Sequence, residues 1–204
     1  MTPPGTFERV YGAIRDRLRG GSYKPGSRLE PAVLSEELNA SVTPVRDALH
    51  RLTGERLIEA PRHEGFRVPL VTETSLRHLY AWHRDLLTLS LLDRARGPSS
   101  PSESERPDDS DPVERQNDLF FTIARLTGNP EHLIALEALT HRLEPVQRLE
   151  GVLLDAVEEE TCAIARALRA GDRNALRRAL IHYHRRRTRI IPELLERLYR
   201  FEQD

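Results

Sequence analysis

The chain has 204 residues, of which 38% are hydrophobic and 31% are charged, and its formal net charge is -1. This charge excludes a globally basic surface for nucleic acid, although a local basic patch is sufficient for binding. No apolar run approaches the roughly 18 residues that a membrane span needs. Cys162 is the single cysteine and cannot form an internal disulfide, and no signal-peptide pattern is present, so we expect a cytoplasmic protein with no membrane partner.

Three short helices are predicted within about the first 54 residues. The first carries apolar residues at helical spacing and ends at Gly20-Gly21. Its apolar positions are Phe7, Val10, Tyr11, Ile14 and Leu18. A second helix is predicted over residues 32–38. The third runs to about Gly54, with Thr43 as its N-cap and Pro44 at its first helical position.

A β-hairpin is predicted after the third helix. Residues 57–60 and 66–69 have the composition of two short strands, and residues 61–65 contain the proline and glycine of a turn. Three helices followed by a hairpin constitute a winged helix-turn-helix. We therefore assign residues 1–71 to a DNA-binding domain of this type.

An all-helical bundle is predicted over residues 72–204, which makes the fold class mainly α. Its first helix begins at Thr72, and no strand pattern follows Pro69. Residues 97–112 are rich in Ser, Pro and acidic residues, and we interpret them as a mobile loop. Later helices are predicted over residues 133–143, 146–168 and 175–198.

Arg46 lies in the first turn of the third helix, where the helix dipole is already positive. In a helix-turn-helix this end of the second helix enters the major groove, where an arginine can reach guanine or phosphate. An arginine that is unfavourable in a free helix then becomes useful beside DNA. The alternative is an ordinary exposed arginine that pairs with the neighbouring Asp47.

The segment from Ile14 to Val68 resembles the DNA-binding domain of the GntR family of bacterial transcription regulators. The resemblance rests on landmarks in one order and at family spacing: Gly21, Pro25-Gly26, Leu29, Leu34, Leu38, Thr43-Pro44-Val45-Arg46, Ala48-Leu49, Leu57-Ile58 and Gly65. It implies binding of double-stranded DNA through residues of the third helix and the wing. These residues are Ser41, Thr43, Arg46, Arg62, His63 and Gly65. Val42 stands where the family usually has an arginine, so one of the family's DNA contacts is missing.

Two later stretches, "NDLFFTIARLTGNPEHL" and "ETCAIARALRAGDRNALRRALIHYHRRR", resemble the FCD-type helical effector domain of the FadR-like subfamily. Many such domains bind a divalent metal through one Asp and three His, and carboxylate effectors bind at that metal. Asn117, Phe121 and Thr161 replace three of these ligands, and His182 retains the fourth. Asn, Phe and Thr cannot form a tight transition-metal site, so we predict that the domain holds neither this metal nor another cofactor.

The resemblance also implies an effector site inside the helical domain. The candidate residues are Arg84, Asn117, Phe121, Thr161 and His182. The family has an inward arginine in the first helix of the bundle, and Arg84 is expected to pair with a carboxylate of either the effector or the protein itself. An organic acid is the corresponding effector class.

We interpret the chain as a transcription regulator, with repression as the expected effect, that binds a palindromic operator as a homodimer. Two alternatives stay open. In the first, the helical domain only dimerises and binds no effector. In the second, the chain is a small helical enzyme or metal-binding protein. The sequence contains no Gly-rich phosphate loop, no H-E-x-x-H and no convincing nucleophile–base pair, which favours a protein that is not an enzyme.

Overall fold

The computed structural model describes residues 5–92 and 111–200. Within these ranges the fold is mainly α, as predicted, with one small sheet. The elements in chain order are α1 (Thr6–Arg19), β1 (Arg28–Leu29), α2 (Pro31–Glu37), α3 (Val42–Gly54), β2 (Phe66–Arg67), α4 (Glu73–Leu89), α5 (Pro112–Arg125), α6 (Pro130–Leu153), α7 (Val157–Arg169), α8 (Arg173–Arg189) and α9 (Ile191–Tyr199). Among the described residues, none of the helices combines the length and the hydropathy of a transmembrane segment.

The N-terminal domain is built around α1, α2 and α3. The apolar face predicted for α1 is buried, and Val10 and Ile14 have no exposed surface. Leu34 of α2 and Leu49 of α3 complete the same core. Burial of these aliphatic side chains contributes roughly 1.5–3 kcal/mol each.

The small sheet differs from the predicted hairpin. β2 pairs antiparallel with β1, in the register Arg28 with Arg67 and Leu29 with Phe66. The predicted strand over residues 57–60 is reduced to a single bridge between Glu59 and Arg67. β1 was missed because two residues are too short to show the alternation that marks a strand.

The start of α3 also differs from the prediction. Ser41, not Thr43, is the N-cap residue, and α3 begins at Val42. Pro44 is therefore the third residue of the helix. A proline is tolerated throughout the first turn because these positions have no intrahelical acceptor for an N–H group, so it does not mark the first helical residue.

The C-terminal domain begins with a reciprocal N-terminal cap on α4. Ser75 N donates to Thr72 Oγ1 over 3.1 Å, and Thr72 N donates to Ser75 Oγ over 2.9 Å. This cap confirms the predicted helix start at Thr72. α5 packs on α6, while α4 and α7 pack on α8. Their common core includes Leu76, Phe120 and Leu136, which are fully buried.

Three predicted helix boundaries in the bundle were wrong. α6 continues through Pro145, because tertiary packing outweighs the hydrogen bond that the proline cannot donate. The chain breaks instead at residues 154–156, where Ala156 has a φ of 56°. The predicted helix over 175–198 divides at Ile190 into α8 and α9.

The predicted mobile loop over residues 97–112 overlaps the start of α5. Asp111 accepts a hydrogen bond from Val113 N and is the N-cap, and Pro112 is the first residue of this helix. These two residues therefore belong to an ordered helix start. Residues 97–110 lie outside the described part of the chain.

The two domains contact each other through α1 and α6. Arg19 Nε donates to Glu144 Oε2 over 2.6 Å, and Arg148 Nη2 donates to the other Glu144 oxygen over 3.3 Å. The connecting segment is held by Tyr199, whose hydroxyl bonds both N and O of Val71 at 3.0 Å. These contacts fix the position of the N-terminal domain against the bundle.

Candidate nucleic-acid interface

The first turn of α3 and the turn at residues 61–65 face each other across a groove of about 570 Å³. Three of the predicted DNA-contacting residues line it: Arg46, His63 and Gly65. Ser41 and Thr43 are exposed on the same end of α3 but do not line the groove. Arg62 is exposed in the wing turn and likewise lies outside it. The groove therefore brings together half of the predicted set.

The buried face of α3 determines which side chains reach the groove. Val45, Ala48 and Leu49 have no exposed surface and attach the helix to the N-terminal core. Arg46 and Asp47 then point away from that core and are exposed. The N-terminal end of α3 is thus presented to solvent, with its unpaired backbone N–H groups outward.

The Arg46 guanidinium has no hydrogen bond or ion pair with any residue in 5–92 or 111–200. The expected alternative, an ion pair with Asp47, does not occur in the structure. Arg46 is consequently available to an external acceptor.

Arg28 is a basic residue of the same groove that the sequence reasoning missed. It is exposed on β1 and precedes the buried Leu29. Across the described residues its side chain also forms no hydrogen bond or ion pair. The outward position would follow from strand alternation, but only once residues 28–29 are known to be a strand.

The wing turn has a defined backbone conformation. His63 and Gly65 have φ values of 65° and 76°. A Cβ atom on Gly65 would meet nothing within 4 Å, so this position favours glycine for its backbone angle and not for space. At the base of the turn Arg67 pairs with Glu59 at 3.1 Å and with Glu64 at 3.3 Å. Arg67 therefore stabilises the wing, and because it is paired with two carboxylates it is not available to an external anion.

Residues 6–68 match the family model described as "Bacterial regulatory proteins, gntR family". The groove lies entirely within this segment. The N-terminal domain is a GntR-family domain.

The curated relatives agree with this assignment. Over 68 residues the chain is 37% identical to the HTH-type transcriptional regulator McbR of Escherichia coli (strain K12), covering 33% of this chain and 31% of McbR. Over 70 residues it is 27% identical to the HTH-type transcriptional repressor GlaR of the same organism, covering 34% of this chain and 32% of GlaR. These matches span about a third of each relative's length.

Two solved structures share the fold over nearly the whole chain. A GntR transcriptional regulator from Rhodococcus sp. RHA1 superposes with a TM-score of 0.68 at 21% identity, covering 92% of this chain and 97% of the other. E. coli McbR/YncC superposes with a TM-score of 0.66 at 21% identity, covering 93% and 98%. The arrangement of a GntR domain followed by a helical bundle is therefore a known fold.

The bundle that follows the GntR domain does not bring the five predicted effector residues together. Asn117 is buried and donates to Gln147 Oε1 over 3.1 Å, and Phe121 packs against the core. Thr161 Oγ1 lies within hydrogen-bond distance of two acceptors, Val157 O at 3.0 Å and Gln116 Oε1 at 3.3 Å. These three face the interior.

Arg84 and His182, the other two predicted effector residues, lie on the outer surface of the bundle. Arg84 pairs with its neighbour Asp85 at 2.8 Å, so its partner is the protein's own carboxylate. The side chain of His182 is 56% exposed. His184, two residues later, is the buried histidine of α8. Spacing alone placed the two on different faces but did not decide which face was inside.

A buried ionic cluster occupies the interior that these residues were expected to line. Arg187 Nε donates to Glu150 Oε2 over 2.7 Å, and its Nη1 bonds Glu160. Tyr80 OH donates to the second Glu150 oxygen over 2.5 Å. The sequence signal was available, because Arg187 continues the spacing of the buried Leu180 and Tyr183 on α8.

The metal prediction stays a prediction. Within residues 5–92 and 111–200 no group of three or more His, Cys, Asp or Glu side chains is arranged to hold a metal ion. Asn117 bonds Gln147, and Thr161 lies within hydrogen-bond distance of Gln116, so each contacts a glutamine of the bundle interior.

Proposed function

We propose that this protein is a sequence-specific DNA-binding transcription regulator that reads its operator with the first turn of α3 and the wing. The observation that carries the proposal is Arg46, which lies unpaired in the groove between these two elements. The relatives of its GntR domain are named as HTH-type regulators, which agrees with this role.

The chemistry of the groove suits a nucleic-acid backbone. The positive end of the α3 dipole favours a phosphate, and Ser41 and Thr43 offer hydroxyl donors beside it. Arg46 can reach a base edge in the major groove, where a bidentate contact to guanine gives specificity. Arg28 and the neighbouring Arg62 add positive charge around this end of the helix.

Arg46→Ala is expected to weaken binding to the specific operator by about 1–3 kcal/mol, because it removes one base contact without touching the core. The measurement is fluorescence anisotropy with duplexes taken from the DNA next to the protein's own gene. Arg178→Ala, at an exposed position on α8, is the matched control and should bind as the wild type does. Unchanged affinity and sequence preference in Arg46→Ala would show that this side chain does not read DNA.

We further propose that the protein is a cytoplasmic repressor that binds a palindromic operator as a homodimer, with its helical domain of the FCD type. The name of GlaR as a repressor supports the direction of regulation. Dimerisation is supported by α4, whose outer face carries Trp82 and Leu89 seven residues apart, 49% and 46% exposed. Tryptophan is enriched at the cores of protein–protein interfaces, and Leu89 would extend such a contact along the same helix face.

Trp82→Glu is expected to convert the dimer into a monomer, since it places a charge in the centre of the proposed apolar contact. Light scattering coupled to size-exclusion chromatography measures this as a halved molar mass. Ile134→Glu is the control, because Ile134 is 55% exposed on a different helix, α6, and should leave the dimer intact. A wild-type mass of one chain, or a dimer that survives Trp82→Glu, would contradict the α4 interface.

A further inference from the structure

A cleft of about 930 Å³ lies between the GntR domain and the helical bundle. Both domains and the segment that connects them supply apolar side chains to its walls: Leu18, Ile58, Val71, Leu79, Val146 and Leu149. This volume is in the range of cavities that hold small organic molecules. It is separate from the bundle interior, which the Arg187 cluster fills.

Most of the charged side chains that line the cleft are basic. Arg56 and Arg142 line it from opposite domains, and neither forms a hydrogen bond or ion pair within the described ranges. Burial lowers the pKa of the Arg142 guanidinium, and the positive charge of Arg56 lowers it further. Glu59 is the one carboxylate among the described lining residues, and it is already paired with Arg67. An anionic group between the two guanidinium groups would offset their mutual repulsion.

The backbone of Arg56 fixes where this side chain leaves the end of α3. Arg56 N bonds Thr53 O and Leu57 N bonds Leu52 O, which is the Schellman pattern at the end of α3. Arg56 occupies the left-handed position of this motif with a φ of 60°. Glycine is the usual residue there, and an arginine costs free energy of folding. The Schellman hydrogen bonds hold Arg56 in this conformation, and its side chain lines the cleft.

We infer that the cleft binds a small organic anion, with its acidic group between Arg56 and Arg142 and its apolar body between the two domains. Because the walls come from both domains, a bound anion favours one position of the GntR domain relative to the bundle. In this respect the site is the effector site of the regulator proposed above and rests on that function. Binding of the anion itself requires no DNA and can be measured without it.

The test uses two fluorescent dyes that share one apolar skeleton. 1-Anilinonaphthalene-8-sulfonate carries an anionic group, and N-phenyl-1-naphthylamine lacks it. Arg142→Gln and Arg56→Gln are each expected to weaken the sulfonate at least about tenfold, since a charge-assisted hydrogen bond is lost, and to leave the neutral dye within about twofold. Arg178→Gln, on the outside of α8, should change neither.

Folding of each variant is checked by its melting temperature, which we expect to be unchanged or higher, because removal of either guanidinium relieves repulsion without breaking a pair. Equal sulfonate affinity in wild type and Arg142→Gln, or the absence of saturable sulfonate binding, would overturn the inference. Neither result bears on Arg46 and the operator, so failure of the anion site and failure of DNA binding are distinguishable.

Discussion

Replacement of Arg187 by methionine is expected to lower the free energy of unfolding by about 3–5 kcal/mol. The guanidinium has no exposed surface, and it holds Glu150 and Glu160, whose side chains are only 2% and 6% exposed. It also lies over the Tyr183 ring, with its central carbon 3.4 Å from the ring centroid. Methionine fills similar space but leaves Glu150 buried without its cation and Glu160 with Arg186 alone, at 3.6 Å. The penalty arises from these weakened charge pairs more than from lost packing.

Urea denaturation measures this loss directly. Arg185→Met is the matched control, because Arg185 is exposed on the same helix and its replacement should change stability by less than about 0.5 kcal/mol. Adding Glu150→Gln and Glu160→Gln to Arg187→Met should restore part of the loss, since the buried negative charges are then removed. A single variant as stable as the wild type would show that the cluster does not hold the bundle together.

Acidification is expected to destabilise the protein well above the pH at which its carboxylates titrate. Burial, with the nearby charges of His184 and Arg187, lowers the pKa of His83 well below its usual value. Burial is also the main cause that lowers the pKa of His184 to about 4. In the unfolded chain both take up protons below about pH 6.5, whereas the folded protein keeps them neutral. The contribution of these neutral histidines to the free energy of unfolding is therefore fully present above that pH. It is lost as the pH decreases toward their pKa values in the folded protein.

The geometry explains why protonation is resisted. His184 Nδ1 donates to Leu180 O over 2.7 Å, so its Nε2 is the acceptor for His83 Nδ1 at 2.9 Å. His83 Nε2 is buried and has no hydrogen-bond partner among the described residues. These hydrogen bonds use the neutral form of both rings. A second proton on either ring would place an imidazolium cation near the Arg187 guanidinium.

Between about pH 7.5 and about pH 5.5 the loss should be on the order of 1.4 kcal/mol for each of these two histidines. Urea unfolding at a series of pH values measures the slope. Burial also lowers the pKa of His141 to about 4, so three histidines contribute to the slope. His184→Gln should therefore reduce the slope by about a third, whatever its effect on absolute stability, and His182→Gln, at the exposed neighbouring histidine, should leave the slope unchanged. A flat profile in the wild type would mean that the buried histidines take up protons in the folded state over the same pH range as in the unfolded chain.

The parts of the fold that the sequence predicted well are those with a strong local signal. α1 has an apolar stripe ended by two glycines, and α4 has a cap whose partners are three residues apart, so neither depends on distant contacts. β1 and the continuation of α6 through Pro145 were missed because packing against other elements decides them. Local patterns do not contain that information.

The candidate sites show the same contrast between residues that the sequence indicates and residues that only distant contacts bring together. Arg46 was predicted from its place in the first turn of α3, and His63 and Gly65 from the resemblance to the GntR family; the structure brings all three to one groove. Arg28 lies in that groove only because β1 pairs with β2. The cleft with Arg56 and Arg142 combines residues from two domains, which no pattern along the chain can reveal.

The central claim is that the N-terminal end of α3 faces a DNA duplex, and photocrosslinking tests it most directly. p-Benzoylphenylalanine in place of Thr43 should crosslink to an operator duplex on irradiation, whereas the same group in place of Asn174, exposed at the start of α8, should not. Efficient crosslinking from position 174 together with none from position 43, in a protein that still binds the duplex, would contradict the account.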